Sequence, residues 1–320
     1  MSRGNHRPSG DPKLRLARQR LVIVTGKGGV GKSSVAAALA QAAADEGRRV
    51  LAVEIGRGGL SRLLGVEEPG PDPTPVGRSL SCVTIDPESA LGEMVHGMMP
   101  LGVMARRLLQ STTFQIVAAA APGLPEYLVL HRLSAFLDAK RLGRPRHDLV
   151  VVDAPASGHS LPLLGAPRAL GALARFGPVA DFLGRADAML HDAATTAVWI
   201  VTTPEELPVR EAIELHQALR EDLGLTLPPP IVNAFPRRRF TSRDQGAIAE
   251  AAAHAGAHPY LVGARLEVAR QRDAVEQIRL LRSAVRRAPV RLPYLPGGTG
   301  EARGLTDLTH AVARQAGFGT

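Results

Sequence analysis

The chain contains 320 residues, of which 45% are hydrophobic and 3% aromatic, and it has a single cysteine, Cys82. This length suits one large α/β domain or two smaller ones, whereas one cysteine excludes an internal disulfide and a cysteine-only zinc site within the chain. The net charge of +9 is consistent with nucleic acid, an acidic protein or anionic lipid as a partner. Aromatic side chains that stack on bases are scarce and most arginines are interleaved with acids, so an ordinary solvated surface is the default and nucleic acid is disfavoured without being excluded.

The first 18 residues mix Gly, Pro and Arg without periodicity, which predicts a flexible basic tail that is helical at most from Lys13 onward. This tail has no apolar signal core, and no later segment reaches the ~18 uninterrupted apolar residues of a membrane span. We therefore expect a cytoplasmic protein. No linker divides residues 19–320, so we expect them to form a single domain.

A glycine-rich stretch, LVIVTGKGGVGKSSV at Leu21–Val35, joins an apolar strand to a turn and then to a helix predicted to end at Gly47. It contains G-x-x-x-x-G-K-S, a phosphate-binding loop whose backbone amides surround a phosphate group. We expect Lys32 to place its charge against the outer phosphates and the Ser33 hydroxyl to help hold Mg²⁺. The other residues expected to contact nucleotide are Gly26, Lys27, Gly28, Gly29, Val30, Gly31 and Ser34.

The next segment, RVLAVEI, predicts a buried strand that completes a β-α-β unit. The glycines that follow it, at Gly56, Gly58 and Gly59, indicate either a mobile loop near phosphate or a plain turn. Residues 66–79 are rich in Pro, Gly and acids and are predicted to form a surface loop.

A helical insertion is predicted from Glu88 to about Leu142, after the strand-like segment CVTIDP. Four methionines fall in it, at Met94, Met98, Met99 and Met104. A methionine-rich helical face is typical of an adaptable apolar groove, but the same spacing fits an ordinary core, and the pattern leaves both interpretations open.

A second candidate site lies in HDLVVVDAPASGHS, which begins at His147. Its apolar run predicts a buried strand, and Asp153 at the strand's end is placed where a carboxylate can hold magnesium. Gly158 and His159 follow, in what we predict to be a loop. Two helices are expected next, over about residues 163–176 and 179–193.

The rest of the chain continues the alternation of strands and helices. After the strand in TAVWIVTT we predict a link at 202–208, a helix at 209–222, a strand ending at Asn233, helices at 242–255 and 263–287, a last strand from Val290 and a final helix at 304–316. This order predicts an α/β fold with an open, doubly wound, mostly parallel sheet of the P-loop NTPase type. Ligand is expected at the carboxyl ends of the strands, where Gly26, Asp153 and Asn233 lie.

Three stretches carry a resemblance to a known family: the loop GKGGVGKS with its additional Lys27, the segment DAPASGH, and TTPEELPVREAIEL. They resemble the deviant Walker A ATPases, which include the arsenite pump ATPase, the tail-anchored-protein targeting ATPase, MinD, ParA and the nitrogenase iron protein. The segment TTPEELPVREAIEL is closer in sequence to the arsenite pump ATPase group than to ParA or MinD. The resemblance implies ATP and Mg²⁺ as cofactors and a nucleotide-sandwich dimer in which Lys27 reaches the partner's nucleotide.

The resemblance also implies a role for each site residue. These roles are phosphate contact for Lys27 and Lys32, magnesium binding for Ser33 and Asp153, γ-phosphate sensing for Gly158 and His159, adenine recognition for Asn233, and packing on the base for Pro293 or Pro296. Catalysis would rest on Lys27, Lys32, Asp153 and His159.

The loop after the second strand departs from the family pattern. The family places there an aspartate that orients the attacking water, whereas this chain has Gly56 at about that position, and the first Asp after it is Asp72. Hydrolysis therefore lacks its expected carboxylate unless Glu54 or a residue from elsewhere takes the role.

Two functions are consistent with these residues. The first is a dimeric, Mg-ATP-dependent ATPase that couples nucleotide state to a helical subdomain binding a protein client or a membrane-protein effector. The second is a slow or non-hydrolysing ParA- or MinD-like switch or scaffold that acts through a partner. The dimer is formed either by two copies or with a paralogue that supplies the missing carboxylate. In the family, arsenite capture uses several cysteines and the zinc site of the eukaryotic targeting ATPase uses paired cysteines. Because this chain has only Cys82, neither site is expected in it.

Overall fold

The structure, a computed structural model, describes residues 19–56, 58–67, 69–98, 106–107, 109–111, 121–172, 176–255, 258–300 and 302–316. The predicted basic tail at residues 1–18 lies outside this range, as do Met99 and Met104 of the predicted methionine cluster.

Eight strands form one sheet in the order β10-β9-β8-β1-β7-β2-β4-β3, and all neighbours are parallel except the antiparallel pair β3–β4. These strands are β1 (Leu21–Thr25), β2 (Val50–Ile55), β3 (Thr74–Pro75), β4 (Leu80–Ile85), β7 (Leu149–Asp153), β8 (Thr196–Thr202), β9 (Ile231–Phe235) and β10 (Val290–Pro293). Two further strands, β5 (Lys140–Arg141) and β6 (Arg144–Pro145), pair with each other in a separate antiparallel hairpin.

Ten α-helices with described bounds accompany the strands, and the described residues 106–107 and 109–110 are also helical. They are α1 (Lys32–Asp45), α2 (Leu60–Leu63), α3 (Pro87–Met98), α4 (Leu124–Asp138), α5 (Ser157–Gly171), α6 (Pro178–His191), α7 (Glu206–Gln217), α8 (Ser242–Ala255), α9 (Pro259–Val285) and α10 (Ala302–Ala316). None of these helices is long and apolar enough to cross a membrane.

Hydrophobic packing on both faces of the sheet explains why its central strands are continuously apolar. Along β1, Val22 and Val24 pack into a cluster that includes α1 and α10, whereas Leu21 and Ile23 face a cluster that includes α4 to α7. Side chains alternate between faces along a strand, so a strand buried on both sides needs an apolar residue at every position. The predicted fold class, α/β with a doubly wound and mostly parallel sheet, is confirmed.

The sheet also accounts for Cys82, which is fully buried in β4. Burial raises the pKa of its thiol to about 12, with the nearby Glu54 adding to the rise. This cysteine is therefore a small apolar packing residue with little thiolate character.

Several predicted boundaries are wrong. The helix predicted at 163–176 begins at Ser157, so Gly158 and His159 lie in its first turn rather than in a loop. Glycine and proline in this stretch indicate a break, but burial of Leu163 and Leu164 under the sheet outweighs their weak helix propensity.

Other differences are smaller. The predicted surface loop at 66–79 contains β3, the glycine-rich loop before it contains the one-turn helix α2, and the end of the helical insertion contains the β5–β6 hairpin. Helix α1 ends at Asp45 instead of Gly47, and α9 begins at Pro259 instead of residue 263. The helix predicted at 209–222 divides into α7 and a π-helical turn, Ala218–Asp222. Within the insertion, the structure describes α3 and α4. The single-domain organisation stays a prediction.

Candidate functional site

The predicted site residues meet at one edge of the sheet. The phosphate loop leaves the carboxyl end of β1, Asp153 ends β7, and Glu54 lies near the end of β2. Asp153 pairs in register with Val24 on one side and with Glu54 on the other. Because parallel strands end together, residues far apart in sequence form one corner, which we call the phosphate corner: Gly26–Ser33, Glu54 and Asp153.

Two glycines fix the path of the phosphate loop. Gly26 has φ +144° and Gly31 has φ +86°, which are conformations that side-chain-bearing residues rarely adopt. A Cβ at Gly26 would overlap the Val201 carbonyl oxygen, and one at Gly31 would overlap the Asn233 amide nitrogen. A Cβ at Gly28 would meet no atom of the described residues within 4 Å, so this position leaves room for a ligand.

Asn233 holds the loop from the side of β9. Its Nδ2 donates to the Val30 carbonyl oxygen at 3.0 Å, and Val30 is itself buried in the core. The amide therefore anchors the loop from β9, which is separated from β1 by β8, a role that sequence reading missed. Adenine recognition by Asn233 stays a prediction.

Lys32 folds back over its own loop. Its Nζ donates to the Lys27 carbonyl oxygen at 3.0 Å. Burial lowers the pKa of the Lys32 ammonium, and the charge of Asp153 opposes part of this shift. A partly desolvated cation held at a cradle of backbone amides is suited to binding an anion.

Lys27 is engaged by its own chain. Its Nζ lies 2.7 Å from Oε1 of Glu211 on α7, and each side chain is 32% exposed. The other Glu211 oxygen, Oε2, is buried and has no hydrogen-bond partner among the described residues. Sequence reading missed Glu211, although it lies inside the segment TTPEELPVREAIEL. No direct signal for this pair exists in the sequence, because the pair depends on the order of strands in the sheet: β8 lies beside β1 and places α7 next to the phosphate loop.

The two residues predicted to bind magnesium are in contact. Ser33 Oγ donates to Asp153 Oδ2 at 2.5 Å. Asp153 is 6% exposed, and its second oxygen, Oδ1, is buried and has no partner among the described residues. The pKa of Asp153 is raised to about 6, mainly because its carboxyl group is buried. The negative charge of Glu54 also raises this pKa, while the Ser33 hydrogen bond and the Lys32 charge oppose part of the rise.

Glu54 is a second buried carboxylate at this corner, 3% exposed. Its Oε1 accepts a hydrogen bond from the Leu60 backbone amide at 2.9 Å, and a Cβ at Gly58 would come within 2.5 Å of the same oxygen. A Cβ at Gly59 would lie 3.9 Å from Ser33 Cβ. The loop after β2 therefore closes over Glu54 and reaches Ser33, one of the two residues predicted to bind magnesium.

The start of α5 is tied to the same corner. Thr25 Oγ1, at the end of β1, donates to Ser160 Oγ at 2.7 Å, and both side chains are fully buried. Gly158 lies in the same helical turn and is exposed, while the side chain of His159 lies outside the described part of the chain. Ser160 is a second anchoring residue that sequence reading missed.

The family profile described as "Anion-transporting ATPase" matches residues 19–180, a range that includes the phosphate loop, Glu54, Asp153 and the start of α5. The chain belongs to this family. The resemblance to ATPases of this family, inferred from the three sequence stretches, is thus confirmed.

Individual relatives agree with the family profile. The chain is 30% identical to ATPase BagA of Mycobacterium tuberculosis over an alignment 341 positions long, which covers 94% of each chain. It is 31% identical over 177 residues to ATPase GET3 of Kluyveromyces lactis, covering 52% of this chain and 50% of the relative. It is 24% identical over 263 residues to ATPase GET3C of Arabidopsis thaliana, covering 64% of each. All three relatives are named as ATPases, as expected for the anion-transporting ATPase family.

Proposed function

We propose that the chain is an ATP hydrolase that binds ATP with Mg²⁺ at the phosphate corner and works as a dimer. The observation that carries this proposal is the pairing of Ser33 with Asp153, whose second oxygen is buried and has no hydrogen-bond partner among the residues that the structure describes. A buried carboxylate oxygen in this position is costly to the isolated chain and is suited to a divalent cation that arrives with the nucleotide.

The residues present fit magnesium. A hydroxyl and a carboxylate are the oxygen ligands that Mg²⁺ takes from proteins that bind it together with phosphates. Ser33 and Asp153 would hold the ion, and the ion would neutralise charge on the phosphates. Lys32 and the loop amides would orient the phosphate chain, and Gly26 and Gly31 would keep the backbone close enough to contact it.

Dimerisation is proposed from Lys27. In the single chain its ammonium is paired with Glu211, so it does not lie over its own loop. Since both side chains are about one-third exposed, the pair is worth ~1 kcal/mol or less and is readily exchanged. We infer that Lys27 leaves Glu211 when a second subunit presents a more highly charged nucleotide phosphate.

Coupling to an effector is proposed through α5. Its first turn is bonded to β1 through Ser160, and its last turns reach a cavity of about 1030 Å³ among α3, α4 and α6, which we call the helical cavity. The side chains lining it are mainly apolar, and they include Met94, Leu124, Leu170 of α5 and Phe182. A shift of α5 on nucleotide binding would therefore change the helical cavity, where a client or effector would dock.

A steady-state ATPase assay over a range of protein concentrations tests this function. We expect the rate per chain to rise with concentration as dimers form, and Lys27→Ala to lose at least about tenfold in turnover while still binding ATP. Glu206→Gln, which alters an exposed pair with Arg210 on the same helix, is the matched control and should retain turnover. Equal turnover in Lys27→Ala and the unmodified chain would rule out the trans-acting lysine.

A second candidate is a nucleotide switch that binds ATP but hydrolyses it slowly or not at all. The observation that favours it is that Glu54, the carboxylate nearest the expected water-orienting position, already accepts the Leu60 amide hydrogen bond. Tight ATP binding and ATP-dependent dimerisation without turnover would select this candidate. Turnover that depends on Glu54, lost in Glu54→Gln, would select the hydrolase.

A further inference from the structure

The small hairpin of β5 and β6 starts from the edge of the sheet opposite the phosphate corner. It consists of the two short strands and the turn Leu142–Gly143, and the chain enters β7 directly after it. Asp153 lies at the other end of β7, and the five residues of this strand span ~15 Å. We call residues 140–146 the basic hairpin.

The base of the basic hairpin is held in place by the sheet. The Arg146 amide donates to the Ala139 carbonyl oxygen at 2.7 Å and closes the hairpin. Just beyond it, Asp148 Oδ1 accepts a hydrogen bond from Arg49 Nη2 at 2.6 Å, and the Asp148 carbonyl oxygen accepts one from Arg48 Nη2 at 2.8 Å. The tip is therefore presented from a fixed position at the amino ends of β2 and β7.

The tip carries a leucine where hairpins usually carry a small polar residue. Leu142 has φ +53° and Gly143 has φ +77°, as a two-residue turn between twisted strands requires. Asn, Asp or Gly adopts this conformation with little strain, whereas a branched apolar side chain does not. Leu142 is also 96% exposed, more than any other large apolar side chain that the structure describes. The folded chain gains nothing from this strained leucine, which indicates a partner outside the chain.

The strands of the basic hairpin have a second unfavourable feature. Arg141 lies directly opposite Arg144 in the register, and like charges in such a pair destabilise a hairpin. The acids on either side are Asp138 and Asp148, and Asp148 is already paired with Arg49. The segment itself has no acid and four exposed cations, which are Lys140, Arg141, Arg144 and Arg146.

An apolar tip surrounded by cations is suited to the surface of an anionic membrane. The leucine can enter the boundary between headgroups and acyl chains while the cations stay at the lipid phosphates. Such a surface accepts a protruding tip without a matching pocket. Nucleic acid is a poorer match, because the hairpin has no aromatic side chain to stack on bases and a phosphate backbone has no place for Leu142.

We propose that the basic hairpin docks the chain on an anionic phospholipid surface, with Leu142 inserted between the headgroups. One leucine and four cations give a reversible, peripheral attachment and not a permanent anchor. Because the hairpin starts from the edge opposite the phosphate corner, a docked chain can still take up nucleotide. The proposal does not rest on ATP hydrolysis.

Sedimentation of the full chain with lipid vesicles tests this proposal. We expect binding to vesicles of equal parts phosphatidylglycerol and phosphatidylcholine, weaker binding as salt is added, and little binding to phosphatidylcholine alone. The decisive variant is Leu142→Asn. Asparagine tolerates the backbone conformation of this turn, so stability in urea should be equal or higher, while the vesicle partition coefficient should fall about tenfold.

The double variant Arg141→Gln, Arg144→Gln tests the charges and should lower the partition coefficient about 25-fold. Its matched control is Arg243→Gln, Arg282→Gln, which removes two exposed arginines of α8 and α9 and changes the net charge equally. Leu266→Gln, which replaces a leucine of α9 that is 66% exposed, is the control for Leu142. Both controls should bind vesicles within about twofold of the unmodified chain.

The proposal is overturned if the chain does not prefer anionic vesicles, if Leu142→Asn binds them as well as the unmodified chain does, or if the controls lose as much as the hairpin variants. Binding to a DNA duplex that depends on the hairpin arginines, without vesicle binding, would assign the hairpin to nucleic acid instead. ATP affinity is measured for every protein without vesicles, and its failure would overturn the proposed function alone.

Discussion

The phosphate corner and the helical cavity are built by different means. At the phosphate corner the backbone itself forms the site, and a Cβ at Gly26 or Gly31 has no room. At the helical cavity, side chains on α3, α4, α5 and α6 surround about 1030 Å³ of space. A site made of backbone is specified by where side chains are absent, whereas a site made of side chains is specified by their size. Substitutions should therefore act differently in the two regions.

The largest effect is expected for Gly26→Ala. The new methyl group would overlap the Val201 carbonyl, and the left-handed backbone would be strained, so we expect about 4 kcal/mol of destabilisation and loss of ATP binding. Urea unfolding and nucleotide titration measure the two effects. Gly28→Ala, which meets no protein atom, should change unfolding by less than about 1 kcal/mol. Similar destabilisation by both variants would contradict a steric role for Gly26.

Phe182→Ala tests the helical cavity. Phe182 is 7% exposed, and its ring meets the Tyr127 ring edge-on with 5.2 Å between the ring centroids. Its loss should lower the free energy of unfolding by about 3 kcal/mol, which is the lower end of the range for replacing a buried Phe by Ala, because the ring borders the open helical cavity. ATP affinity should change less than about threefold, since Phe182 contacts no residue of the phosphate corner. Phe182→Leu should recover most of the stability. A large loss of ATP affinity would show that the two regions are not separable.

Asp153→Asn should stabilise the nucleotide-free chain at pH 7 by about 1–2 kcal/mol. The Asp153 carboxyl has a pKa of about 6 in the folded chain and 3.8 ordinarily. Between these pH values the folded chain binds more protons than the unfolded chain, so its free energy of unfolding falls as the pH rises. The amide of the variant carries no charge, so this position no longer makes the free energy of unfolding depend on pH. Unfolding at pH 4 and pH 7 measures the difference, which should shrink at the lower pH. The variant should also lose magnesium-dependent ATP binding, so greater stability with unchanged magnesium dependence would remove Asp153 from the metal site.

The smallest effect on stability is expected for Glu211→Gln. The pair with Lys27 is about one-third exposed, so its loss should cost below about 1 kcal/mol. If Lys27 serves a partner subunit, freeing it should lower the protein concentration at which ATPase activity reaches half its maximum. Glu214→Gln, on the same helix, should not do so. An increase in that concentration would mean that Glu211 assists dimerisation.

The same contrast explains how much the sequence could predict. Phosphate-loop spacing and apolar strand patterns predicted the sheet and the meeting of Ser33 with Asp153, because both follow from local chemistry and strand order. The anchoring bonds of Asn233 to Val30 and of Thr25 to Ser160 were not predicted, since they join residues 203 and 135 positions apart. Helix α5 was placed too late because its Gly and Pro residues suggest a break, while burial decides the outcome.

The packing of α10 against α1 has a consequence for biosynthesis. Leu308 and Val312, near the end of the chain, share a core cluster with Val35 and Leu39 of the helix that follows the phosphate loop, and all four are almost completely buried. While the ribosome is still making the chain, that helix has emerged but its last neighbour has not. The nascent polypeptide therefore exposes an alanine- and leucine-rich surface until α10 has been synthesised and has left the ribosome, and the phosphate loop gains the full support of α1 only then.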